Sequence, residues 1–382
     1  MLVPPGRAAT MARELTSTLA AVSGQAITVD GAHLLGERAA LAGLRRRGTV
    51  SAGGRCRLLP TADGWAAVSC ARPDDPLLLG ALIGDELDAV NPWPALADWV
   101  RAHRGAELLE RAELLGVAAG PVRHRERVHC PAPMTPRPVE GLLVVDFSAL
   151  WAGPLCAHLL GLAGARVVKV ETPGRPDGAR RGNPEFYALL HHGHESVVLD
   201  PADTAGRSAL SALVDAADIV IEASRPRALA GFGLDAEAAV GRGASWVSIT
   251  AAGRASNRIG FGDDVAAAAG LVAHEPGSGT PAFVGDAIAD PLTGLTAAVL
   301  AMSSPTDGRG VLWDISMTDV VASTLTTDPV PRTSQRGDSW FIDSDAGPIP
   351  VAQPLSRTPI GPAAESGADT ARVLESLRIP VP

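Results

Sequence analysis

Asp290 is the residue of this chain with the clearest chemical potential. It stands in Gly285-Asp286-Ala287-Ile288-Ala289-Asp290-Pro291-Leu292-Thr293-Gly294-Leu295, where Asp-Pro opens an apolar run of helical length. Aspartate at an N-cap followed by proline at the first helical position is also an ordinary helix start. The two roles are compatible. A helix N-terminus favours an ionised carboxylate by roughly 0.3–1 kcal/mol, and an ionised carboxylate can attack an acyl carbon and carry the acyl group. Asp286, one turn earlier, reads as part of the turn before the helix. His191, His192 and His194 form a second cluster of reactive type. No matching carboxylate set accompanies them, so a solvated loop is the plainer reading and no metal is expected. Arg175, Arg180 and Arg181 can meet phosphate groups or simply point into solvent. Trp151 either shapes an apolar pocket or packs.

These groups need elements to hold them, and residues 138–325 supply an alternating pattern. Apolar runs of strand length fall at 142–147, 166–170, 197–199, 219–221 and 246–249. Helical spacing falls between them at 154–162, 186–190, 208–214 and 236–240. The fold class that follows is α/β: an open parallel sheet, Rossmann-like, with helices on both faces. Strands this uniformly apolar suit a sheet buried on both sides. No G-x-G-x-x-G follows the first strand, so a dinucleotide cofactor has no support. Ligand is expected beyond the carboxyl ends of the strands. That edge holds residues 148–153, 172–175, Asp200 and 223–225.

The first part of the chain reads differently. Residues 61–75, TADGWAAVSCARPDD, begin with an Asp-Gly turn followed by alternating apolar residues, a hairpin pattern. Residues 93–115 are helix-rich. The division expected is a segment 1–35, a smaller α+β domain over 36–130, a large domain over 138–325, and a connection and tail over 326–382. Residues 1–35 and 326–350 are expected to be loosely ordered or dependent on a partner for order.

The order of these segments resembles the family III CoA-transferases, the group of formyl-CoA transferase and its carnitine and bile-acid relatives. Residues 141–172, GLLVVDFSALWAGPLCAHLLGLAGARVVKVET, look like that family's opening strand, A-G-P turn, helix and second strand. Ser196-Val197-Val198-Leu199-Asp200 and Ala217-Asp218-Ile219-Val220-Ile221-Glu222 resemble its third and fourth strands, with Arg225-Pro226 and Gly231-Phe232-Gly233 after them. Gly308-Arg309-Gly310, Asp314-Ile315-Ser316 and Asp319 follow in order, then Ser356-Arg357-Thr358-Pro359 and Val373-Leu374.

The resemblance implies an acyl-CoA:carboxylate CoA-transferase in which Asp290 forms an anhydride and then a thioester with CoA. It implies CoA and substrate contacts at Trp151, Ala152, Thr172, Arg175, Leu199, Asp200, Ala223, Ser224 and Arg225. It implies no cofactor beyond coenzyme A as substrate, with an acyl-CoA and a carboxylic acid acceptor as partners, in a homodimer. The oxyanion would meet backbone amides near Gly285 or in the 148–153 turn. Three departures stand out. The histidine run replaces a basic N-x-x-K-R loop, Thr172 stands where formyl-CoA transferase has a CoA-phosphate arginine, and the small domain precedes the large one instead of being inserted after its catalytic half. The related α-methylacyl-CoA racemases carry histidine where this chain has Asp263, and a carboxylate of ordinary pKa near 4 is a poor substitute for it. Racemase-like chemistry and a non-catalytic CoA-binding subunit are the alternatives.

Composition sets outer limits. The 382 residues carry a net charge of −9, which argues against nucleic acid as a partner. Four cysteines without C-x-x-C spacing fit a reduced, cytoplasmic setting. No apolar run approaches the roughly 18 residues of a membrane span.

Overall fold

The computed structural model describes residues 2–123, 128–224, 226–337 and 339–382. Six strands form one parallel sheet: β1 (Leu143–Asp146), β2 (Arg166–Glu171), β3 (Glu195–Val198), β4 (Ile219–Glu222), β5 (Ser245–Thr250) and β6 (Val311–Ser316). Their spatial order is β6-β5-β4-β1-β2-β3, with every pairing parallel. The order reverses between β1 and β4, the position at which doubly wound sheets open a ligand crevice.

The strands are apolar throughout because both faces are covered. Along β1, Val144 enters one core and Val145 the other. Along β4, Ile219 and Ile221 point to the first core and Val220 to the second. The first core is closed by the helices Ala152–Leu162 and Ala289–Ala301. The second is closed by Thr204–Asp215, Ala236–Gly241 and the C-terminal Thr370–Ser376. The tail also covers the open edge of β3. Ser196 N donates to Asp369 Oδ2 (2.9 Å) and Val198 N to Thr370 Oγ1 (3.0 Å), so an edge strand's unpaired amides find partners.

Residues 56–121 build a smaller α+β unit. Its antiparallel sheet is formed by Cys56–Thr61, Gly64–Ser69 and Ala119–Pro121, with three helices packed around Leu79, Leu96 and Leu108. The hairpin turn falls at Asp63, whose carboxylate accepts from Gly105 N at 2.9 Å.

Two segments expected to be loose are built into the fold. The Ala8–Val22 helix buries Ala12 and Leu19 against the Ala289–Ala301 helix, and Ile27, Leu34 and Leu35 join the same core. Thr333–Arg336, Ser339–Ile342 and Ile349–Pro350 form a small antiparallel sheet. Sequence periodicity missed the first because its buried face is mostly alanine and threonine. The 191–195 histidine loop is also not solvated. His191 and His194 are buried; His191 stacks on Tyr187 and meets the His194 ring edge to face. Burial pushes the His194 imidazole down to about 3 and His191 in the same direction, so both rings are neutral.

The two central helices approach closely at Gly294. A Cβ there would lie 2.7 Å from Ala152 O and 3.0 Å from Leu155 Cβ. Alanine is the better helix former by about 1 kcal/mol, but overpacking a tight contact costs about 1–3 kcal/mol. Gly294→Ala is therefore expected to lower the unfolding free energy in equilibrium urea denaturation. A gain in stability would contradict the close approach.

Candidate active site

The carboxyl end of β1 is fixed by Lys169, the chain's one lysine, which is almost fully buried. Its Nζ lies 3.2 Å from Asp177 Oδ2 and 3.7 Å from Asp146 Oδ2, and it donates to Ser148 O. Burial opposes the ammonium charge, but Asp146 and Asp177 outweigh it and lift the pKa. The same carboxylates shape the turn that follows. Asp146 Oδ1 accepts from Ser148 N (2.8 Å), and Asp177 Oδ1 from Leu150 N (3.0 Å). Leu150 is held at a φ of 70° in the left-handed region and remains exposed. Two of the amides considered for an oxyanion, Ser148 and Leu150, are thus already committed. After this turn Ala152 begins its helix.

Asp290 faces a cleft of about 280 Å³ at the β1–β4 switch point. Ala152, Arg175, Ala223 and Ser224 line it too, together with Leu150, Phe261 and Met317. Thr172 and Asp200 line an adjoining cleft of about 420 Å³. Arg175 and Ala228 belong to both, so the two are neighbours. The sequence-predicted residues separate accordingly. Leu199 is buried in the second core and lines neither cleft. Trp151 is buried against Phe186, edge to face at 5.1 Å, and packs. Arg180 is turned inward to Glu171 (2.6 Å) and over the Tyr187 ring, away from a phosphate role. Arg225 lies outside the described residues.

Asp290 is not the cap of its helix. The helix spans Ala289–Ala301 with Ile288 at the N-cap, which places Asp290 in the first turn. Three more carboxylates surround it. Asp263 Oδ1 accepts from Ala287 N (2.8 Å). Asp264 accepts from Phe261 N and from Ser69 Oγ, both at 2.8 Å, which ties the small unit to the site. Asp286 is gripped by Arg38, with Nε–Oδ2 2.7 Å and Nη2–Oδ1 2.6 Å. Gly262 backs the nucleophile candidate: a Cβ there would sit 2.1 Å from Asp290 Oδ2.

The electrostatics differ from the helix-end expectation. Burial pushes Asp290 up to about 7; Arg38 opposes the shift, and Asp263, Asp286 and Asp264 add to it. Burial likewise pushes Asp264 up to about 6 and raises Asp263. Sequence reasoning missed Arg38 as well. It comes from a segment with no strand or helix period, and its partner lies 248 residues away.

With this geometry in place, comparison with known proteins decides the family. Residues 139–339, just over half the chain, match the model of CoA-transferase family III. The chain belongs to that family. Succinyl-CoA–D-citramalate CoA-transferase of Chloroflexus aurantiacus is 28% identical over 207 residues, covering 50% of this chain and 52% of that protein. Human succinyl-CoA:glutarate CoA-transferase is 30% identical over 199 residues, covering 47% and 45%. The chain thus spans about half the length of the curated relatives it matches. The crystal structure of a CAIB/BAIF family protein from Brucella suis aligns at 26% identity with a TM-score of 0.48, over 55% of this chain and 66% of that one. No helix among the described residues is long and apolar enough to cross a membrane.

A carboxyl whose folded pKa exceeds its unfolded value holds its proton more tightly in the folded state. Stability then falls as pH rises from about 4 to about 7, and the penalty persists above that. Asp290→Asn, which resembles the protonated acid, is expected to raise the Tm at pH 8. The gain should shrink as the pH approaches 4. Calorimetric scans at the two pH values check this; an unchanged or lowered Tm at pH 8 would contradict the burial argument.

Proposed function

We propose that this chain is an acyl-CoA:carboxylate CoA-transferase whose nucleophile is Asp290. One observation carries the reading: Asp290 lies in a cleft at the sheet's switch point beside Ala152, Arg175, Ala223 and Ser224. A carboxylate there can reach a thioester carbonyl while the rest of CoA extends toward Thr172 and Asp200.

The steps balance. Asp290 attacks the acyl carbon and expels CoA thiolate, leaving a mixed anhydride. The thiolate then attacks the Asp290 carbonyl, releasing the donor carboxylate and leaving an aspartyl-CoA thioester. The acceptor carboxylate repeats the sequence in reverse. This divides one difficult transfer into easier ones. A carboxyl pushed up to about 7 keeps an ionised population at neutral pH, and a raised pKa goes with a stronger nucleophile. The reading also carries a homodimer and a cytoplasmic setting. Racemase-like chemistry is less favoured, because Asp263 replaces the histidine and its Oδ1 is engaged with Ala287 N.

The test uses succinyl-CoA, an acyl donor named in two relatives. Native protein is mixed with it, quenched with hydroxylamine, and digested for peptide mass. A hydroxamate on Asp290 is the expected result. Asp290→Asn should remain folded and lose transfer to a carboxylate acceptor by at least about a thousandfold. A folded protein that binds CoA but forms no adduct would favour the non-catalytic alternative.

A further inference from the structure

The Asp290 carboxylate lies among three other carboxylates. Asp263, Asp264 and Asp286 all act on it; Asp264 and Asp286 are buried and Asp263 is half-buried. Arg38 is the cation that acts on Asp290 against them, while Arg258 acts on Asp264. Arg38 is delivered by the short Glu37–Leu41 helix of the N-terminal segment. Its neighbour Glu37 is buried and pairs with Arg357 of the tail, Oε1–Nε 2.7 Å and Oε2–Nη2 2.8 Å. The Arg38 guanidinium also lies over the Trp151 ring, 4.9 Å from its centroid. The Asp286 carboxylate and the Trp151 ring thus hold the Arg38 guanidinium, while the Glu37–Arg357 pair anchors the helix that carries it.

We infer that Arg38 is a positioning residue that makes Asp290 usable as a nucleophile near neutral pH, by supplying charge without touching the attacking oxygens. The inference rests on Asp290 being the nucleophile. The two side-chain hydrogen bonds of Arg38 go to Asp286. A direct pair with Asp290 would hold that carboxylate ionised but occupy the lone pairs that must attack. A pair with the adjacent Asp286 leaves those lone pairs unoccupied and still places a positive charge within the cluster. Asp286 in turn prevents Arg38 from swinging onto Asp290. The two residues therefore act on Asp290 in opposite directions. Arg38 favours its ionised form, and Asp286 disfavours it.

That opposition yields a signature a purely structural role would not produce. The rate of adduct formation with succinyl-CoA is measured in single turnovers from pH 5 to 9. It is compared for native protein, Arg38→Met, Asp286→Asn, and the Arg38→Met/Asp286→Asn double variant. The Asp290 carboxyl is titrated in parallel by infrared difference spectroscopy, with Asp290→Asn identifying its band. Loss of a nearby opposite charge shifts a carboxyl by about one pH unit or more. Arg38→Met is expected to move the midpoint up by about that amount, and Asp286→Asn to move it down. The double variant removes both charges and should return close to the native midpoint. Arg38→Lys keeps the charge and should stay near native even where its bidentate grip is lost. If Arg38→Met leaves too little folded protein, the Lys, Asn and double variants still give the ordering.

Midpoints that do not move, or move in the same direction for both single changes, overturn the inference while an Asp290 adduct in native protein leaves the transferase reading standing. Absence of that adduct removes the reading and the inference together. The infrared titration distinguishes the cases, because it reads Asp290 whether or not any acyl group transfers.

Discussion

The position of the site depends on a single buried ammonium group. Lys169 sits at the carboxyl end of β2, between Asp146 at the end of β1 and Asp177 in the loop after β2. Removing one partner from a buried ion pair costs about 3–5 kcal/mol, because an uncompensated charge stays behind. The three groups are thus mutually obligatory. They also hold the backbone of the turn: Asp146 accepts from Ser148 N, and Asp177 accepts from Leu150 N and holds Leu150 in a left-handed conformation. Strain of that kind persists only where surrounding structure over-determines it. The turn so fixed sets where the Ala152 helix begins, and that helix meets the Asp290 helix through the close contact at Gly294. A charge in the sheet interior is therefore connected by rigid packing to the placement of a carboxylate in the cleft.

The ionisation of Asp290 is decided by which of two terms is larger. The helix N-terminus contributes roughly 0.3–1 kcal/mol toward the anion, which is under one pKa unit at about 1.4 kcal/mol per unit. Burial among other acids acts the other way and wins, pushing the group up to about 7. The outcome suits the role proposed for Asp290, a group that attacks and later leaves. A carboxylate held far below its ordinary pKa would be a weak nucleophile, and one held far above it would be protonated at neutral pH.

The parallel sheet was legible because strands buried on both faces leave unbroken apolar runs, and each of the five runs contains or overlaps an observed strand. Asp-Pro before an apolar run marked a helix start locally, but the helix begins at Ala289 with Ile288 at its N-cap, so Asp290 stands in the first turn and not at the cap. Arg38 was not legible, since GERAALAGLRRRG reads as any solvated arginine-rich surface. What gives Arg38 its role is Asp286, 248 positions away, and no local period encodes that pairing. The histidine loop failed for a related reason. Histidine is ambivalent between solvent and interior, and only the ring of Tyr187 and the neighbouring helix decide the matter. Trp151 was left between pocket and packing, and Phe186 together with Arg38 fills the space around it.

The small unit shows that a site can be completed by contact irrespective of order along the chain. Residues 56–121 precede the sheet in sequence, yet their hairpin lies against the Gly262–Ala268 helix, with Cys56, Leu58 and Ala67 meeting Ala267, Val272 and Phe283. Within that apolar seam lies one polar bond, Ser69 Oγ to Asp264 Oδ1. Asp264 also caps its own helix start by accepting from Phe261 N, and Phe261 lines the Asp290 cleft. Docking of the small unit and the shape of the cleft wall are thus joined at one carboxyl group. Apolar contact supplies most of the affinity between the two units but is tolerant of sliding. The Ser69 bond is directional, so it fixes the register in which the small unit meets the site. What matters for the cleft is that this seam forms.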